Sequence, residues 1–236
     1  MRFGIGGSVL TTLVASNTST GSYNSMVDSY QPSGVITPLA GLLLGEVVFG
    51  GLGAGVYSMV MAALVGVFLG GLMVGRTPEY LGKRIAAAET RWIALYVLMT
   101  PMVVLSLTAI AVMARAGLAG LVTNRGAHGL TEILFAYASS MANNGISMAG
   151  LNANNVFYNV TTSIAMLAGR YALAALALAL AGRFALQRRL PVTTGTLPDD
   201  TPTFSAMVFG TILLSGALCF LPALALGPIV ENLWHG

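Results

Sequence analysis

Five stretches of this sequence, residues 3–27, 47–75, 92–114, 133–169 and 201–230, contain no Asp, Glu, Lys or Arg. A water-soluble domain exposes too much surface to leave runs of that length uncharged, whereas about 20 apolar residues cross a hydrocarbon core of about 30 Å as a helix. The chain is 56% hydrophobic and only 8% charged, with 29 glycines among 236 residues, so a lipid bilayer is its expected solvent. The expected fold is an all-α, polytopic helical membrane protein with spans near 39–75, 92–114, 156–182 and 205–227. No signal peptide is evident after Met1-Arg2, so insertion is expected to rely on these spans.

Charge sets the orientation. Arg76, Lys83, Arg84 and Arg91 fall between the first two spans and Arg183, Arg188 and Arg189 before the last, against Arg2, Arg115 and Arg125 in the other connections. The rule that basic loops stay inside makes the first set cytoplasmic and puts the C-terminus outside. A net charge of +3 confined to loops sets topology and gives no nucleic-acid-binding face. Cys219, the single cysteine, sits in an apolar run, and with His128 and His235 apart from each other in the sequence no Cys/His metal site is expected. No phosphate-cradling glycine loop, phosphorylated Asp-Lys-Thr-Gly motif or nucleophile–base pair is present in the sequence, so no ATP site is expected in this chain.

Two apolar stretches, 4–15 and 129–142, are too short to cross, and each runs into a small polar cluster: Ser16 to Ser22 in the first, Asn143-Asn144-Gly145 in the second. A short helix that dips into the membrane and returns as a glycine-bearing strand can aim several backbone carbonyls at one axis, where they replace the hydration shell of an ion without any fixed charge. A polar surface loop between helices is the other reading. The pattern occurs twice: sliding the chain by 124 residues places Gly21 on Gly145 and Leu44-Gly45-Glu46 on Ala168-Gly169-Arg170, the mark of an internal repeat.

The first span contains Phe49-Gly50-Gly51-Leu52-Gly53-Ala54-Gly55. Gly50, Gly51, Gly53 and Gly55 serve either close packing against a neighbouring helix or an irregular segment lining a wet cavity. Pro101 and Pro222 are expected to kink their helices. Arg170 lies about midway along the span 156–182, and Glu46 is its equivalent in the first unit. An ionisable group at such depth costs at least about 2.5 kcal/mol on insertion scales, so both are expected to face the pore axis below the two loops, the alternatives being an inert buried pair or an arginine that snorkels. Glu132 reads as a helix-start residue favoured by the helix dipole, and Asp28 as a solvated charge in an outer loop or an ion-funnelling group.

Gly45-Glu46-Val47-Val48-Phe49-Gly50-Gly51, the stretch Gly75 to Lys83, Asn143-Asn144-Gly145 with Ala149-Gly150-Leu151, and the tail Leu221 to Pro228 together resemble the KdpA family, the potassium-transporting subunits of bacterial Kdp P-type ATPases. The resemblance covers nearly the whole chain and implies a non-catalytic subunit built like a fused four-repeat potassium channel, of which this sequence matches the C-terminal part. Residues 1–91 would hold the pore helix, filter and inner helix of the third repeat, 92–190 the fourth repeat, and 191–236 a cytoplasmic loop and final helix. The implied potassium filter is Ser19, Thr20, Gly21 and Ser22 with Asn143, Asn144 and Gly145. Arg170 corresponds to the family's inner-helix arginine, and Gly50 to Gly55 to its broken helix. Potassium would enter from outside the inner membrane and pass to a KdpB-like ATPase subunit, with a KdpC-like subunit and a KdpF-like peptide as further partners. A fourfold filter needs four strands and this sequence offers two. A fragment lacking the N-terminal half of the pore, a split protein, a passive homodimeric channel half and a non-conducting scaffold all remain open at this point.

Overall fold

In the computed structural model, which describes residues 3–44, 51, 55–191 and 201–235, the chain is helical almost throughout. Helix α1 (Gly4–Thr18) leads through a polar turn to α2 (Pro32–Leu43), and α3 (Gly55–Val74) reaches a small hairpin of β1 (Glu79–Tyr80) and β2 (Lys83–Arg84). Then come α4 (Ala87–Met113), the short α5 (Arg115–Leu118), α6 (Gly126–Ala142) and α7 (Val156–Leu167). A π turn over Ala168–Ala172 joins α7 to α8 (Leu173–Leu186). The last helix is α9 (Pro202–Leu224), a π turn over Ala225–Ile229, and α10 (Val230–His235). Four helical stretches among the described residues are long and apolar enough to cross a membrane: Gly55–Val74, Ala87–Met113, Val156–Leu186 and Pro202–Trp234. The chain is an all-α polytopic membrane protein.

Local chemistry sets the helix starts. Pro32 and Pro202 occupy first helical positions, where the missing N–H would have had no partner. Asn155 accepts from the Tyr158 N–H at 2.9 Å and Thr201 from the Phe204 N–H at 3.3 Å, satisfying donors that the first turns of α7 and α9 leave free. The stretch 39–75 is divided: α2 ends at Leu43 and α3 begins at Gly55. The last helix extends beyond 205–227. Its irregular residue is Gly227 (φ −98°, ψ −106°), just before Pro228; Pro228 has no N–H to donate, and the turn there widens to π.

The centre of the molecule is a helix too short to span. Ile133, Leu134, Phe135 and Tyr137 of α6 are fully buried among α2, α4, α7 and the last π turn, while the long helices turn Leu72, Leu178 and Leu218 outward. Small residues set close approach between long helices: Gly66 and Gly70 of α3 lie under Val208 and Met207 of α9, as expected where lipid is as apolar as the side chains and packing drives association.

The two groups of basic residues meet at one end. Lys83 donates to the Gln187 carbonyl, the Arg84 N–H donates to Gln187 Oε1 at 3.1 Å, and the Leu190 N–H donates to the Gly82 carbonyl at 2.8 Å. Arg183 Nε is 3.1 Å from Oε1 of the buried Glu89. At the other end, the Val122 N–H donates to Gly150 O and the Asn152 N–H to Gly120 O, while the buried Tyr158 hydroxyl donates to Gly117 O at 2.9 Å. The Gly117 carbonyl also accepts the Gly120 N–H at 3.1 Å, so Tyr158→Phe removes one of its two hydrogen bonds and is expected to lower stability by about 1 kcal/mol, read as the loss on unfolding the detergent-solubilised protein.

Candidate functional site

The ends of the two short helices converge. Helix α1 stops at Ser19, a left-handed residue (φ 58°, ψ 25°), and α6 stops at Asn143 with nearly the same angles (φ 58°, ψ 28°). Two residues further on, Gly21 (φ 66°) and Gly145 (φ 78°) are also left-handed. Reversing φ at alternate residues breaks the pleat of an ordinary strand and lets successive carbonyls turn toward one side. The offset of 124 residues read from the sequence maps Ser19 on Asn143, Gly21 on Gly145, and α2 (Pro32–Leu43) on α7 (Val156–Leu167), helices of equal length. It also maps Leu44, where α2 stops, on Ala168, where the π turn starts.

The two turns lie against each other. Ser19 Oγ donates to the Ala142 carbonyl at 3.1 Å, Asn144 Nδ2 to the Ser16 carbonyl at 3.5 Å, and the repeat-related Tyr23 and Ser147 hydroxyls are 3.5 Å apart. A Cβ on Gly21 would fall 1.8 Å from the Asn144 carbonyl oxygen, whereas one on Gly145 would meet open space. Each helix C-terminus presents carbonyls without intrahelical partners and the negative end of its dipole. Two such ends aimed at one locus make it attractive to a cation, and neutral Ser, Thr and Asn side chains add no counter-charge.

Asn144 braces this turn. Its side chain is buried; Oδ1 accepts from the Ser139 hydroxyl at 2.8 Å and from the Ile146 N–H at 2.9 Å, so the amide bridges across Gly145 from the helix to the returning strand. Asn143 Nδ2 lies 3.2 Å from the carbonyls of both Met141 and Met166, which fastens the turn to α7. In the first unit Gly41 packs against the Asn17 amide, which donates to Leu13 O. Sequence reasoning had no role for Ser139; its position five residues before Asn144, on the inner face of a short helix, was the available signal.

Below the turns is a cavity of about 140 Å³ lined by Asn143, Arg170, Tyr57, Thr100 and Thr211 among others. Arg170 sits in the π turn after α7, next to Gly169, whose added Cβ would fall 1.8 Å from the Met141 carbonyl. Gly51 accepts the Gly55 N–H at 3.0 Å, and Gly55 opens α3 and is buried. Glu46, Gly50 and Gly53 lie outside the described residues.

Three sequence expectations change. Glu132 is not in the first turn of its helix, because α6 starts at Gly126; it is buried, with one oxygen 3.4 Å from Asn124 Nδ2. Burial raises its pKa, the Asn124 hydrogen bond opposes this, and the charge of Asp28 adds to the rise. Asp28 is not a freely solvated loop charge: Asn124 donates to it at 2.6 Å. His128, isolated in the sequence, lies between Asp28 and Glu231.

The brace makes a local prediction. In Ser139→Ala, amide exchange should rise for the peptide containing Ile146 and stay unchanged in α4, as followed by hydrogen–deuterium exchange mass spectrometry; equal protection at Ile146 in both proteins would remove the brace.

Comparison with known proteins places these features in a family. The model described as KdpA, potassium-transporting ATPase A subunit, matches residues 1–233. Proteins named potassium-transporting ATPase potassium-binding subunit are similar throughout. The one from Dechloromonas aromatica is 50% identical over 98% of this chain and 39% of its own length. That from Chromobacterium violaceum is 51% identical over 98% and 38%, and that from Acidobacterium capsulatum 47% over 99% and 40%. The chain thus spans about two fifths of the length of these curated relatives.

Proposed function

The chain belongs to the KdpA family of potassium-transporting ATPase A subunits, and from that premise we propose that it forms part of the potassium-binding and translocating pore of an ATP-driven, high-affinity potassium importer. The observation that carries the reading is the meeting of two helix C-termini at paired left-handed turns, Ser19/Gly21 and Asn143/Gly145. Potassium enters from the outer face and exchanges water for backbone carbonyls of Ser19, Thr20, Gly21 and Ser22 and of Asn143, Asn144 and Gly145. Selection against sodium rests on the number and field of those carbonyls. The ion then reaches the cavity beside Arg170, with Glu46 in the equivalent place of the first unit by the 124-residue offset and Gly50, Gly51, Gly53 and Gly55 as the gating region. A fixed positive charge just below a cation site shortens occupancy and favours onward release.

In this reading residues 1–91 form the last three elements of a third repeat, 92–190 a fourth repeat and 191–236 a cytoplasmic loop and closing helix. The remaining filter strands come from the part of the relatives' length that this chain does not span. The apolar side chains of α1 that are exposed, Ile5, Leu10 and Val14, are suited to be covered by them. ATP hydrolysis belongs to a KdpB-like P-type subunit, with KdpC-like and KdpF-like partners, and the assembly sits in the bacterial inner membrane with the C-terminus of this chain outside.

Substitution at the two glycines tests the filter in the assembled complex. A left-handed non-glycine residue costs about 1–2 kcal/mol, so Gly145→Ala should weaken potassium binding or potassium-over-sodium selectivity by roughly tenfold, in potassium-dependent ATPase titrations. Gly21→Ala should cost more, because its methyl also meets the Asn144 carbonyl. Full retention in both variants would sink the filter assignment. Arg170→Gln is expected to raise apparent potassium affinity and slow turnover; if neither changes, the charge has no part in release.

A further inference from the structure

Three segments far apart in the sequence meet at one imidazole. His128 lies in the first turn of α6; its Nε2 is 3.0 Å from Asp28 Oδ1, in the segment that follows the first filter turn, and its Nδ1 is 2.6 Å from Glu231 Oε1, in the last helix. The histidine and both carboxylates are largely enclosed, with side-chain exposures of 17%, 19% and 10%. A neutral imidazole has one N–H and one lone pair, and a carboxylate only accepts, so both short contacts cannot be hydrogen bonds without one more proton. The closed trio therefore holds a proton that the open one lacks.

We infer that Asp28, His128 and Glu231 form a proton-operated clamp, which when protonated ties the segment after the first filter turn and the last helix to the start of the second pore helix, and which loses one of its two ties when deprotonated. The surroundings fit this role. Glu132, one turn along α6, is buried, and among the described residues neither its Oε1 nor Oε2 of Glu231 has a hydrogen-bond partner. Asn124 donates to both Asp28 and Glu132. Of the other elements packed on α6, α2 has no charged residue; α7 contributes the phenol of Tyr158, and the π turn after it Arg170 and Tyr171. In α4, Glu89, Arg91 and Tyr96 are all in its first half, with Glu89 paired to Arg183. Arg125, just before the helix, is exposed. The histidine thus faces carboxylates from three directions.

The direction of pH dependence follows. Burial works against the charged ring, but the hydrogen bonds to Asp28 and Glu231, with their charges, outweigh it and hold the His128 pKa above its ordinary value. The stabilisation from the clamp is complete below the ordinary histidine pKa of about 6.5 and disappears as pH rises through the elevated folded value. Asp28 is seven residues beyond Gly21, so the clamp also restrains the chain leaving the first filter turn.

The test compares thermal unfolding of the intact complex, in nanodiscs, between pH 5.5 and 8.5. The wild-type midpoint should fall by a few degrees across the upper part of that range, while His128→Gln should lack this component and match the wild type at high pH. If His128→Gln does not assemble, Glu231→Gln supplies the same test, since losing one acceptor should move the wild-type transition to lower pH. Identical pH profiles in wild type and in whichever variant assembles would overturn the clamp. A second readout, the half-saturating potassium concentration over the same pH range, tests only the coupling to the filter, which rests on the potassium reading. It should rise with pH in the wild type and stay level in the variant. A flat wild-type potassium curve beside a pH-dependent unfolding curve would overturn the coupling and leave the clamp.

Discussion

Hydrocarbon offers no hydrogen bonds, and that constraint governs the departures from helix at the two polar turns. A backbone group without a partner costs several kcal/mol in lipid, so each irregular segment must be completed by protein. The polar turns after α1 and α6 meet this requirement by bracing each other and by the Ser139–Asn144–Ile146 bridge. The same demand explains why the most buried helix is one that does not span. With Phe135 and Tyr137 fully enclosed, α6 is held on all sides by helices that keep lipid away from the carbonyls at its end.

The duplication is more exact in the backbone than in the residues. Few side chains repeat at an offset of 124, yet α2 and α7 share length and position, and regular helix ends one residue past each. In the second unit the interruption is a π turn carrying Arg170 at the edge of the cavity. Packing preserves the position of a helix end through its contacts with the end of the preceding short helix, Gly41 on Asn17 and Gly169 on Met141, while the residues between are free to differ.

Most of the fold was legible because the signals are local. Charge-free windows located the long helices, and helices too short to cross, followed by glycine and small polar residues, located both turns at Gly21 and Gly145. Arg170 was legible as a charge where charges are expensive, and it lines the cavity between the helices. What could not be read depends on partners about a hundred residues away. His128 looks isolated in the sequence because Asp28 and Glu231 come from other parts of the chain, and Glu132 reads as a dipole-favoured start because nothing in the sequence marks Gly126 as the first residue of the helix. The kink at Gly227 was hidden by Pro222, a stronger breaker on paper that remains within regular helix.

The contact between Gly21 and the Asn144 carbonyl has a consequence for how this protein can change over generations. When a side chain blocks a new side chain, a second substitution can make room. Here the obstacle is main chain, present whatever residue occupies position 144, so no partner mutation at that site can relieve it. The two units are thereby tied to each other through main chain: among the described residues position 145 is restrained by its own backbone angle, while position 21 is held by the other unit as well, so a symmetry that survives in shape comes with unequal tolerance to mutation.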